Sequence, residues 1–201
     1  MKKSLLLLSL ACAGLAGCQS GSNDSTTFVS KEGDIRLQRP ARVVPSEDFS
    51  GRALLQRGWR VIWDGSDAGD GQGVVRLTLP ARAPDGSAIS EVLQIGRSQH
   101  PDVVASCLTY GLVSGSGMRL PVTTVNRREW TTYSSSDAGM SQSIKATNYR
   151  LVVEDTCYTM DRISYAVRAA KATEDALSDG EAANLMDAVL ASVEIQPMTT
   201  R

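Results

Sequence analysis

Alternation of apolar and polar residues predicts β-strands in the first half of the chain. Every second residue is apolar in 59–63 and again in 75–79. Because successive side chains of a strand point to opposite faces, this period is typical of strands with one buried face. The glycine-rich loop 65–73 separates the two runs, so we predict that they pair as a hairpin.

Further strand-like runs follow in the second half. A turn at 84–86 (Pro-Asp-Gly) leads to a third strand from Ile89 to about Gly96. Four runs follow: 122–126 continues into 130–134, and 143–153 and 158–167 come after short polar turns at 135–139 and 154–156. Consecutive strands with short turns predict an antiparallel meander.

Two segments have the pattern of helices. Pro101 suits a first helical turn, and Gly111 is a stop signal for the first helix. Ser178 and Glu181 have the spacing of a capping box before a second helix, and residues 193–195 then look like a closing strand. The elements together predict an α+β class: a single domain with a curved antiparallel meander and two helices packed on one face.

The N-terminus has the features of a secretory signal. Lys2 and Lys3 precede an apolar run, which ends in the small residues of Leu15-Ala16-Gly17-Cys18. The run is too short for a membrane span, which needs about 20 apolar residues. Residues 15–18 resemble the lipobox of bacterial lipoproteins. The alternative is an ordinary cleavable signal in which the cysteine is incidental.

The lipoprotein resemblance implies a location and a set of segments. Residues 1–17 would be removed, and Cys18 would carry the lipid as an anchor. Residue 19 is glutamine and not the aspartate that favours inner-membrane retention, so we expect the periplasmic face of the outer membrane. We expect a lipidated cysteine and flexible tether over 18–30, an irregular segment over 31–57 and the globular domain over 58–197.

Charge narrows the classes of partner. Of the 21 basic side chains, Lys2 and Lys3 leave with the signal, so 19 remain against 22 acidic ones, a net charge of −3. Nucleic-acid binding calls for a clustered basic face, so we expect no nucleic-acid partner. The membrane, reached through the lipid on Cys18, and an envelope protein or glycan remain as expected partners.

The four cysteines divide into three groups. Cys12 leaves with the signal and Cys18 carries the lipid, so Cys107 and Cys157 remain as a pair in an oxidising compartment. We predict a disulfide between them. Two thiols on a metal are the alternative, but no CxxC motif occurs and the single histidine, His100, directly precedes Pro101. We expect neither a metal nor another cofactor.

Aromatic residues are the best candidates for binding. Trp130 and Tyr133 lie beside a polar hairpin, where exposed rings could stack on a glycan or a partner chain. The alternative is that they are core residues, and for Trp59 and Trp63 the core is the favoured interpretation. No catalytic residue is assigned, because His100 has no recognisable serine partner and Ser114 and Ser116 lack the glycine spacing of a nucleophile elbow.

Three functions are consistent with these features. The first is a non-enzymatic binding or accessory protein of the envelope, acting through loops 65–73, 111–121 and 134–142. The second is an inhibitor of a hydrolytic enzyme such as a lysozyme, by analogy with other small disulfide-containing envelope lipoproteins. The third is an enzyme whose site has no recognisable motif. We take the first as the expectation.

Overall fold

The protein is predominantly β. The computed structural model describes residues 25–49, 58–61, 69–109 and 117–198. Of these residues, 56% lie in strands and 13% in helices. The prediction of an α+β class was therefore wrong. The five main strands are 11 to 16 residues long, so strand residues far outnumber the residues of the two short helices.

Nine strands form the main sheet. They are β3 Pro45–Ser46, β4 Gln72–Arg82, β5 Ser87–Ser98, β6 Gly117–Arg119, β7 Thr123–Val125, β8 Arg128–Gly139, β9 Gln142–Val153, β10 Thr156–Lys171 and β11 Leu177–Ser178. Their order is β11-β4-β5-β10-β9-β8-β6, with β3 paired to β4 and β7 to β8. All pairs are antiparallel except β11 with β4.

A second, three-stranded sheet joins the two ends of the described chain. It contains β1 Ser25–Val29, β2 Ile35–Pro40 and β12 Glu194–Ile195, with β2 in the middle. The predicted closing strand therefore exists, but it pairs with the N-terminal segment. Because β1 and β2 fall within the predicted tether and irregular segment, regular structure is present earlier in the chain than we expected.

The two helices lie on opposite faces of the main sheet. Helix α2, Asp179–Ala191, begins with the predicted capping box and packs its Met186 in the core that contains Tyr158. Helix α1, Pro101–Ser106, packs Val103 in the cluster that contains Cys157. Since Cys157 and Tyr158 are adjacent on β10, their side chains point to opposite faces. The prediction that both helices cover one face was therefore wrong.

Residues 58–61 cover the face opposite α2 and are not a strand. The predicted hairpin of 59–63 with 75–79 was wrong, because β4 pairs with β3 and β5 instead. Trp59 is buried, and it lies so close to Gly96 that a Cβ there would be 2.3 Å from the Trp59 carbonyl oxygen. Trp63 lies outside the described residues.

In the described ranges, neither helix is long and apolar enough to cross a membrane.

Candidate functional site

An open groove of about 460 Å³ lies on the main sheet beside α2. Its floor is formed by strands β8, β9, β10 and β5, and Ala183 and Asp187 of α2 form one wall. We call it the polar groove. Its polar lining includes Glu91, Ser134, Ser136, Lys145, Thr147, Arg162, Ser164 and Asp187.

The strand register arranges the floor in two rows. The first row pairs Ser136, Lys145, Ser164 and Glu91 directly across the four strands, and the second row pairs Ser134, Thr147 and Arg162 across three of them. With strands about 4.8 Å apart and about 3.4 Å per residue, the floor measures roughly 14 by 7 Å. The groove is therefore a regular field of polar groups on a paired sheet.

A change along the strands explains why this field is polar. On β10, Tyr158 and Met160 face α2 and belong to the apolar core. Arg162 and Ser164 come next on the same face of the strand. Strand β8 changes in the same way, from the buried Trp130 to Ser134. Helix α2 covers the apolar rows, and the polar rows stay open beside it.

Arg162 connects the floor to the helix wall. Its Nε lies 2.9 Å from an Asp187 carboxylate oxygen, and its Nη2 donates to the Ala183 carbonyl at 3.3 Å. Its Nη1 forms an ion pair with Glu91, which also accepts a hydrogen bond of 2.8 Å from the Ser164 hydroxyl. Arg162 therefore has acceptors on three sides and fixes the position of α2 over the floor.

Four other groups face the groove without partners. Within the described parts of the chain, Lys145 forms no ion pair and the hydroxyls of Ser134, Ser136 and Thr147 make no hydrogen bond. Lys145 and Ser136 are exposed, and Ser134 and Thr147 are half-buried. A positive charge and three hydroxyls are thus available to a ligand.

A second polar cluster holds the three-stranded sheet against the main sheet. The buried Asp34 accepts hydrogen bonds from Ser30 at 2.6 Å and Tyr158 at 3.0 Å, and it forms an ion pair with Arg97. Burial acts to raise the pKa of Asp34, but the hydrogen bonds and the charge of Arg97 outweigh it and hold that pKa below its usual value. Burial and the nearby Asp34 raise the pKa of Tyr158. Ser30, Tyr158 and Arg97 therefore hold the Asp34 carboxylate from within the protein, and we interpret the cluster as structural.

A buried ion pair lies on the opposite face of the sheet. Asp161 and Arg150 are 0% and 1% exposed, and a hydrogen bond of 2.8 Å joins them. Asp161 also accepts from Asn148 at 2.8 Å and from the backbone N–H of Val61 at 2.7 Å. The pair therefore attaches the covering segment 58–61 to the sheet.

The predicted disulfide is confirmed. Cys107 and Cys157 are joined with a Cα–Cα distance of 5.7 Å and are completely buried. Cys107 is the C-cap of α1, which ends at Ser106, several residues before the predicted stop at Gly111. The lipidation site predicted at Cys18 lies outside the described residues.

The predicted binding residues Trp130 and Tyr133 are in the interior. They are 0% and 2% exposed, and Trp130 packs edge-to-face against Tyr149 at a centroid distance of 6.5 Å. Neither ring has a face available for a ligand, so the interpretation as core residues is the correct one. Of the three candidate loops, 65–68 and 111–116 lie outside the described residues. Residues 134–139 continue strand β8, and the reversal is at 140–141.

His100 lies at the start of α1, where a smaller cavity of about 230 Å³ opens. Its Nε2 is 3.5 Å from an Asp70 carboxylate oxygen. The Ser98 hydroxyl donates to the Asp70 backbone carbonyl and accepts from the His100 backbone N–H at 3.1 Å. In the described residues no serine hydroxyl bonds the His100 ring, and no group of three or more His, Cys, Asp or Glu side chains could hold a metal ion.

No protein-family model and no curated protein matches the chain. The case for a site therefore depends on the geometry of the polar groove, which sequence reasoning missed. The sequence did contain a signal: on three neighbouring strands, the residues on one face change from apolar to polar along the strand. Its meaning depends on the strand register, which the amino-acid pattern does not supply.

Proposed function

We propose that the protein is a lipid-anchored binding or accessory protein of the cell envelope, acts without catalysis, and holds its ligand in the polar groove. The observation that carries the proposal is the set of free groups on the groove floor, namely Lys145 with the hydroxyls of Ser134, Ser136 and Thr147. The volume of the groove lies within the range of ligand pockets, about 300–1,000 Å³, in which a few convergent polar groups fix the orientation of the ligand.

The surroundings of these groups favour binding. Strand β9 pairs with β10 over 12 residue positions and with β8 on its other side. The backbone under the groove is therefore held on both sides. A binding group on a paired strand loses little conformational entropy when a ligand arrives, which favours affinity. Arg162 adds rigidity because it joins the floor to α2.

Two features support an envelope location. Residues 15–18 have the lipobox pattern, and the Cys107–Cys157 disulfide is of the kind that persists in oxidising compartments such as the periplasm. We propose attachment through Cys18 to the periplasmic face of the outer membrane. Fractionation of cells that produce Cys18→Ser tests this proposal. The variant should move to the soluble periplasm, and its retention in the outer-membrane fraction would refute the lipid assignment.

Site-specific photocrosslinking in living cells tests the groove itself. A photoreactive residue at position 136 lies on the groove floor, and one at Asp155 in the exposed turn between β9 and β10 is the matched control. We expect a discrete adduct from position 136 that position 155 does not give. The same adducts from both positions, or none from position 136, would contradict the proposal.

A further inference from the structure

We propose that the polar groove recognises a saccharide that carries a carboxylate, with the carboxylate at Lys145 and the sugar hydroxyls along Ser134, Ser136 and Thr147. This inference rests on the proposed function of the groove and adds the chemical class of its ligand. The cavity of about 460 Å³ has room for a ligand of a few sugar units.

The charges in the groove favour a single anionic group over a polyanion. Lys145 and Arg162 are balanced by Glu91 and Asp187, so the four charges sum to zero. Arg162 is already paired with both carboxylates, whereas Lys145 has no ionic partner within the described ranges. An anionic group therefore has one open cation to bind, and a second negative charge would approach Glu91 or Asp187.

The hydroxyls favour a sugar over an extended peptide. A serine or threonine hydroxyl both donates and accepts, as a sugar hydroxyl does, so the two can pair in either direction. An extended peptide binds mainly through the unpaired backbone groups of a sheet edge. The groove floor lies on the face of the sheet, where Lys145 and Thr147 belong to a strand paired on both sides. Side chains alone are therefore available to the ligand.

A pair of disaccharides that differ by one carboxylate tests the inference. The first is N-acetylglucosaminyl-N-acetylmuramic acid, and the second is chitobiose, which lacks the lactyl carboxylate. Binding to the full lipidated chain in detergent is measured by isothermal titration calorimetry. We expect the carboxylated disaccharide to bind at least about 10-fold more tightly, as one charge-assisted hydrogen bond would produce.

Variants assign the preference to its residue. Lys145→Gln should reduce the affinity for the carboxylated disaccharide to that for chitobiose, and Lys145→Arg should keep the preference. Lys171→Gln, at an exposed position outside the groove lining, is the matched control and should change neither affinity. Circular dichroism establishes that each variant is folded before its affinity is compared.

The outcomes separate this inference from the proposed function. Equal binding of both disaccharides, unaffected by Lys145→Gln, would overturn carboxylate recognition. If neither disaccharide binds while position 136 still gives its crosslink, the groove has another class of ligand and the saccharide assignment is wrong. The saccharide assignment would also be overturned if an acetylated triglutamate peptide bound as tightly as the carboxylated disaccharide and its binding depended on Lys145. Absence of both binding and crosslink would overturn the function as well.

Discussion

Replacing Asp161 by asparagine should destabilise the protein strongly. The change keeps the size of the side chain but removes the negative charge beside Arg150, and both residues are almost completely buried. A buried charge that loses its partner costs about 3–5 kcal/mol. The hydrogen bonds that Asp161 accepts from Val61 and Asn148 would also weaken. Because a domain is stable by only about 5–15 kcal/mol, this loss is a large fraction of the total.

Equilibrium unfolding in urea at pH 7, followed by tryptophan fluorescence, measures the effect. Asp187→Asn is the matched control, because Asp187 also pairs with an arginine but its side chain is 66% exposed. Because Asp187 is largely exposed and Arg162 keeps Glu91 as an ion-pair partner, this control should lose only about 0–1 kcal/mol. A double variant of Arg150→Met with Asp161→Asn should lose less stability than the sum of the single changes, because each single change leaves one buried charge without its partner and the double variant leaves none. Equal losses for Asp161→Asn and Asp187→Asn would show that burial of the Arg150–Asp161 pair does not set its contribution to stability.

Three further changes test the packing and the electrostatics. Gly96→Ala should destabilise the protein in urea unfolding, because its Cβ would overlap backbone. Gly180→Ala in α2, where nothing lies within 4 Å of the added Cβ, should stabilise the protein by about 0.5–1 kcal/mol, and the opposite order of stability would contradict the packing. The lowered pKa of Asp34 means that its contribution to the free energy of unfolding is present above about pH 4 and is lost as the pH falls further. Asp34→Asn should therefore weaken the dependence of the urea midpoint on acidic pH, and an unchanged pH profile would count against this. Reducing the Cys107–Cys157 bond, which closes a separation of 50 residues, should lower the free energy of unfolding by roughly 4 kcal/mol and lower Tm. Equal Tm values with and without reductant would show that the bond does not stabilise the protein.

Local signals predicted several elements correctly. The turn at Gly86, the start of α1 at Pro101 and the capping box at Ser178 are all as expected, because each depends on residues only a few positions apart. The disulfide was predictable from the small number of available cysteines. The alternating runs at 143–153 and 158–167 lie within β9 and β10. The predicted turn at 135–139 was wrong because these residues belong to β8, and the predicted continuation of 122–126 into 130–134 was wrong because β7 and β8 are separate antiparallel strands.

Predictions that depended on long-range pairing failed. The alternation at 59–63 is typical of a strand, but Trp59 and Val61 are buried because residues 58–61 cover one face of the sheet, where Asp161 accepts a hydrogen bond from the Val61 N–H. The face of α1 and the burial of Trp130 depend on which strands are neighbours. The groove was missed for the same reason, since its rows exist only once β8, β9 and β10 are aligned.

Cysteine accessibility in intact envelopes measures whether the polar groove holds a ligand in the cell. Ser136→Cys on the groove floor and Asp155→Cys in the exposed turn are labelled with a maleimide, both in isolated envelopes and in the purified protein. We predict that position 136 is shielded in envelopes and reactive after purification, that position 155 is reactive in both, and that adding Lys145→Gln exposes position 136 in envelopes. Equal labelling of position 136 in envelopes and in the purified protein would contradict the account.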